Sequence, residues 1–103
     1  MPRIVILYPR TPGAEFNLDY YLRSHLALVR SSLGDAVTGI SVHRGIAGPG
    51  GVPAAFLIST AIDFRDMKSL QSGIERHGAK IAQDVANFTT IAPTLQIEEE
   101  AVI

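Results

Sequence analysis

The chain has 103 residues, 47% of them hydrophobic and 18% charged, with a net charge of −1 and no cysteine. One domain spanning residues 1–103 with ample material for a core is expected, and intrinsic disorder is excluded. Nine Lys and Arg against ten Asp and Glu, scattered along the chain, leave no basic patch for nucleic acid or an anionic membrane. The missing cysteines exclude disulfides, thiolate metal sites and a thiol nucleophile. The apolar runs, Ile4 to Leu7 among them, are far too short to cross a bilayer. No signal-peptide pattern precedes it, so a cytoplasmic protein is expected.

Residues 3–8 are β-branched and aromatic, and Pro9 to Gly13 is a cluster of breakers, which predicts a strand and then a loop. Asn17 is a good N-cap for a helix that ends at Gly34. Leu18, Tyr21, Leu22, His25, Leu28, Val29 and Leu33 recur at helical spacing and define its apolar stripe. Residues 37–46 read as a second strand, Gly48 to Gly51 as a turn, and residues 54–62 as a third strand. Asp63 then stands where a second helix would be capped, with Phe64, Met67, Leu70 and Ile74 along one face. Gly73 and Gly78 weaken that helix, so residues 79–86 are expected to form a separate short one. A fourth strand from Thr90 to about Glu98 completes a β-α-β-β-α-β order, the ferredoxin-like α+β plan with a four-stranded antiparallel sheet.

The strands also bear on assembly. A sheet with helices on one face and water on the other should alternate apolar with polar residues. In the first strand Ile4 and Ile6 point one way while Val5 and Leu7 point the other. In the third, Phe56, Ile58 and Ile62 oppose Ala55, Leu57 and Ala61. Two helices cover one face only. A homodimer packed sheet against sheet is the expected cover for the second.

His25 is the most informative candidate for chemistry. It lies on the apolar stripe one turn after Tyr21, so the two side chains share a face. Two readings stand side by side: a core histidine satisfied by a carbonyl or a tyrosine hydroxyl, or a general acid/base in an apolar pocket. Tyr8, Tyr20 and Tyr21 can hydrogen-bond a substrate oxygen, or can simply pack at the core edge with the hydroxyl in water. Tyr20 ranks below Tyr21 because it stands beside the stripe. Asp84, Asn87 and Phe88 join the last helix to the last strand. They serve either as a helix end or, if the strand ends converge on a pocket, as groups orienting an imidazole or a ligand. Gly45 to Gly51 carries no phosphate-binding signature, and His25, His43 and His77 have no metal-ligand spacing. No Gly-x-Ser-x-Gly elbow is present. No metal or other cofactor is expected.

Taken together, Tyr8-Pro9, the stretch Phe16 to Tyr21 with His25 four residues on, and Asp84 through Asn87-Phe88-Thr89 to Pro93 resemble the EthD family, named for a protein of ethyl tert-butyl ether degradation. The resemblance spans nearly the whole chain. It implies a dimeric α+β barrel, with a pocket between sheet and helices into which His25 points. Family members are commonly labelled reductases or oxidoreductases. Superfamily relatives include lactone isomerases, polyketide cyclases, cofactor-free monooxygenases and haem-handling proteins. Where the family often has His-x-Pro-Leu, this chain has His25-Leu26-Ala27-Leu28, and a more regular helix is expected without the proline. Three functions follow as alternatives. The first is a cofactor-independent enzyme acting on a small, apolar, oxygenated molecule, with His25 catalytic and Tyr8, Tyr21, Asp84, Asn87 and Phe88 around the substrate. The second is a non-catalytic binding or accessory protein, and the third an interaction scaffold with a core histidine.

Overall fold

The computed structural model describes residues 1–103. Its strands are β1 (Arg3–Pro9), β2 (Val37–Arg44), β3 (Phe56–Phe64) and β4 (Thr94–Glu98), lying side by side in the order β2-β3-β1-β4. Every neighbouring pair is antiparallel. One helical segment joins β1 to β2 and another joins β3 to β4, which is the ferredoxin-like fold.

Register assigns the faces. Ile4 lies opposite Ile62, Tyr8 opposite Ile58, Ile40 opposite Ile62 and Leu95 opposite Ile6, so these residues share one side of the sheet. Both helices pack on that side, where Tyr8, Ile58, Ile62 and Phe64 are buried with Val29 and Leu70. The opposite side carries half-buried Val5, Leu7, Leu57 and Ala61. An Arg3–Asp63 ion pair of 2.9 Å closes one end of it.

The first helix begins as expected at Asn17, whose side chain accepts the Tyr20 N–H. It runs as one arm in three pieces: an α-turn over Leu18–Tyr20, a π-helical turn over Tyr21–His25 and an α-helix over Leu26–Leu33. The regular helix expected from the missing proline is therefore not found. The Leu26 N–H reaches back to the Tyr21 carbonyl, five residues earlier, and the wider turn sets the following segment back by one position. Leu26 thereby joins Val29 on the buried face, while Leu22, expected on the stripe, is 47% exposed. Gly34, at φ +57°, ends the arm in a conformation that favours glycine.

Further corrections fall at β3 and beyond. Asp63 is not a cap: it lies within β3, paired with Arg3, and the strand runs on to bury Phe64. The cap is Asp66, whose carboxylate accepts the Ser69 N–H at 2.7 Å. From it the second helix runs unbroken over Met67–Asp84, through both glycines, and ends in a 3-10 turn over Val85–Asn87. β4 starts at Thr94 rather than Thr90, and Ile91 is buried in the loop before it.

The hydrogen bonds from the Ser69 backbone and hydroxyl hold the Asp66 carboxyl below its ordinary range. A carboxyl lowered on folding stabilises above its unfolded pKa of about 3.9 and stops doing so as the pH falls through its folded value. Asp66→Ala should therefore lower the urea midpoint at neutral pH more than Asp63→Ala does. Its deficit should shrink once the pH drops below about 4, as followed by circular dichroism.

Candidate active site

Tyr20 and Tyr21 are neighbours in the first helix, so they point about 100° apart around its axis. Tyr21 faces the sheet, is 1% exposed, and shares a 2.6 Å hydrogen bond with the Thr60 hydroxyl of β3. Tyr20 faces the end of the second helix and donates its hydroxyl to Asp84 Oδ1 at 2.7 Å. One turn on, the His25 ring stacks on Tyr21, with centroids 5.3 Å apart, and packs against Phe88 at 4.7 Å. Tyr21 and His25 stand at the two ends of the π-helical turn and both face the interior.

His25 is 4% exposed, and its Nδ1 lies 2.8 Å from Asp84 Oδ2. With a neutral imidazole, Nδ1–H donates to the carboxylate, and the Nε2 lone pair is left without a protein partner. Asp84 also accepts from the Asn87 amide at 2.9 Å. Burial alone would raise the Asp84 carboxyl, but the hydrogen bonds from Asn87, His25 and Tyr20 outweigh it and hold the group below the usual carboxylate range. The bond to Asp84 raises Tyr20, while burial raises Tyr21 and Tyr8. All three tyrosines stay phenols at neutral pH.

An apolar cavity of about 280 Å³ lies between the sheet and the helices. His25, Tyr8 and Tyr21 form one part of its wall; Ile4, Leu33, Phe64 and Gly73 are among the rest. Its exposed wall residues include Ile74, Ala82 and Leu95, so it opens between the second helix and β4. The Tyr8 hydroxyl has no hydrogen-bond partner in the protein.

The structure brings all six residues predicted for the site into one neighbourhood, in two layers. Tyr8, Tyr21 and His25 line the cavity, whereas Asp84, Asn87 and Phe88 stand behind His25 and do not reach the wall. Phe88 is seated by a short bridge between Phe16 and Thr89 and by the Asn17 N–H donating to its carbonyl. Two residues were undervalued. Tyr20 stands off the sheet-facing stripe but on the side that meets the second helix. Thr60 escaped notice altogether, although a hydroxyl between Ile58 and Ile62 on the inward face of an apolar strand signals a buried partner.

Fold and site define a ferredoxin-like α+β protein with an apolar cavity and a carboxylate-oriented histidine on its wall. No family model matches the sequence, and no curated protein does. Among solved structures, an EthD-like protein from Ralstonia eutropha JMP134 is 37% identical, with a TM-score of 0.90 over 98% of this chain and 92% of that one. The chain belongs to the EthD family. An EthD family protein from Bacillus halodurans C-125 is 20% identical at a TM-score of 0.69, over 98% of this chain and 99% of that one. A dimeric ferredoxin-like protein from Bacteroides fragilis NCTC 9343, of unknown function, is similar in fold alone, at 9% identity and a TM-score of 0.56 over 96% and 95% of the two chains.

If Asp84 fixes the imidazole, Asp84→Asn should change which nitrogen of neutral His25 carries the proton. Nitrogen NMR should find the proton on Nδ1 in the wild type and a mixture of tautomers in the variant. The acid limb of stability should also flatten. Asp84 is lowered on folding, so the wild type loses its contribution as the pH falls below about 4, whereas the amide has no such proton to take up.

Proposed function

We propose that the cavity binds a small, largely apolar organic molecule carrying oxygen, and that His25 moves a proton to or from it. The observation that carries this reading is the Asp84–His25 hydrogen bond. It occupies Nδ1 and leaves Nε2 as a base on the wall of an apolar cavity. A histidine kept only for packing needs one partner, which a backbone carbonyl could supply; here the partner is a carboxylate that accepts from two further donors.

The chemistry follows from the atoms present. With a carbonyl compound bound, Nε2 takes a proton from the carbon next to the carbonyl, and the electron pair of that C–H bond moves into the enolate. Asp84 stabilises the imidazolium, as a carboxylate does for any charged imidazole it holds. Tyr8 is suited to donate to the oxyanion, because its hydroxyl is uncommitted and burial keeps it protonated. Tyr21 is less suited, since its hydroxyl is already shared with Thr60. Return of the proton to another atom of the same molecule completes an isomerisation. Attack of the enolate carbon on a second carbonyl of that molecule, whose oxygen takes the electron pair and then the proton from the imidazolium, completes a ring closure. Neither needs an external oxidant or reductant. A positioned acid/base of this kind contributes roughly 10²–10⁴-fold. The accessory-protein alternative keeps the same pocket, with Nε2 acting as a hydrogen-bond acceptor only.

We further propose that the chain works as a homodimer through the sheet face that carries Val5, Leu7, Leu57 and Ala61. The helices leave this face open, and an apolar patch on it favours a second copy. The fold-level similarity to a dimeric protein supports the same reading. No helix is long and apolar enough to cross a membrane.

Mass spectrometry of small molecules that co-purify with the protein should identify an apolar oxygenated compound. His25→Gln should still bind it, while proton exchange at its carbonyl-adjacent carbon in deuterated water slows by roughly 10²–10⁴-fold. Binding without wild-type exchange would favour the accessory reading, and the absence of any such compound would count against both. Light scattering should give twice the chain mass, and Leu7→Lys should give a folded monomer. A monomeric wild type would remove the sheet-to-sheet dimer.

A further inference from the structure

The cavity is long and its polarity is lopsided. Its floor follows β1 from Ile4 to Tyr8, about 13 Å of extended chain. The first helix runs back along it, from Tyr21, whose ring packs on Tyr8, through His25 to Leu33 at the Ile4 end. The second helix runs the other way, so that Gly73 meets Leu33 and Phe64 while Asp84 meets His25. The free hydrogen-bonding groups of the wall, His25 Nε2 and the Tyr8 hydroxyl, are both at one end. Ile4, Ile62, Phe64, Leu33 and Ile74 make the remainder apolar.

The two glycines of the second helix differ in what they are for. Glycine is the least favourable residue in a helix interior after proline, and both are interior. At Gly73 a Cβ would stand 2.9 Å from Leu33 Cδ2, so the Leu33 side chain, packed between the helices, would have to shift to admit it. At Gly78 a Cβ would meet only Ile74 Cγ2, on its own helix, at 3.4 Å. Nothing from the sheet or the first helix comes near it, and its backbone is not in the positive-φ region. What Gly78 does is keep the cavity wall bare at a point six residues, about 9 Å along the helix, from Asp84.

We propose that the ligand is one-ended, with a single oxygen function at His25 and Tyr8 and an apolar tail running toward Ile4, and that Gly78 sets the length of tail the cavity admits. The proposal rests on the cavity being the ligand site. Gly78 stands between Ile74 and Ala82 on the edge of the second helix that bounds the opening, so a longer tail passes the bare stretch there, whereas a short one stays at the His25 end. A side chain placed there therefore discriminates by length and leaves the polar end untouched.

A series of ketones from 2-butanone to 2-undecanone tests this, with binding to the full chain followed by saturation-transfer NMR. The wild type should bind the longer members more tightly. Gly78→Leu should weaken 2-undecanone by about tenfold or more and leave 2-butanone nearly unchanged. Gly78→Ala, the milder variant, should melt higher than the wild type and shift the length preference in the same direction, whereas Gly73→Ala should melt lower. Equal loss of short and long ketones in a folded Gly78 variant, or no loss of either, overturns the role of Gly78 but leaves the cavity as the site. Failure of every ketone to bind the wild type saturably overturns the site and this inference together. A lower melting point for Gly78→Ala makes the glycine a structural requirement and overturns the proposal.

Discussion

The contact between His25 Nδ1 and Asp84 Oδ2 spans 59 residues of sequence and ties the end of the second helix to the middle of the first. A buried imidazole needs a partner, and so does a carboxylate drawn out of water. Each supplies the other's need here, with Tyr20 and Asn87 completing the shell around Asp84. The placement runs against helix electrostatics. Asp84 is the last residue of an 18-residue helix, where the macrodipole is negative and a basic residue would be favoured, yet the last turn holds no basic residue. Three hydrogen-bond donors aimed at one carboxylate offset that unfavourable position. The sequence thus keeps a charge where helix stability alone would not put it, at the one point from which it can orient the imidazole.

Orientation of His25 depends equally on the π-helical turn. Such turns add a residue to the helix and are found most often where function needs a side chain re-aimed. Here the turn stacks Tyr21 on His25 and moves Leu26 onto the buried face. Phe88, held from the opposite side by the Phe16–Thr89 bridge, closes over the ring. The histidine is thereby held in a three-ring cluster, stacked on Tyr21 and tilted against Phe88, with one nitrogen tied to Asp84.

The order of elements was legible because each strand is a short β-branched run bounded by breakers, and because the register follows the apolar pattern. The wall residues Tyr8, Tyr21 and His25 were legible because they share the sheet-facing side of their elements. The contact of Tyr20 with Asp84 was not legible for a related reason: one apolar stripe describes a helix that touches one surface, and the first helix touches two. Asp63 was misread as a cap because a carboxylate after an apolar run looks alike at a strand end and at a helix start. Only the cross-strand partner, Arg3, separates the two, and it lies 60 residues away. The helix was predicted to break near Gly78 from propensity alone, but packing of Leu70 and Ile81 into the core holds it together across the weak point.

The distribution of committed and free polar groups explains how so little chemistry can be specific. Asp84 already accepts from three donors and the Tyr21 hydroxyl is shared with Thr60, so both are largely committed within the protein. What faces the cavity unpartnered is one basic nitrogen and one phenolic donor, complementary in sign and both at the Tyr8 end. A carbonyl needs this pair: a base for the neighbouring proton and a donor for the oxygen that gains charge as the proton leaves. The rest of the lining is apolar and non-directional, so under the proposed function any discrimination among carbonyl compounds would come from the shape of the wall rather than from further hydrogen bonds. Shape on that wall is set by side-chain size along the second helix, the element whose far end is anchored by Asp84. The interaction that orients the base therefore also fixes the surface that selects what reaches it.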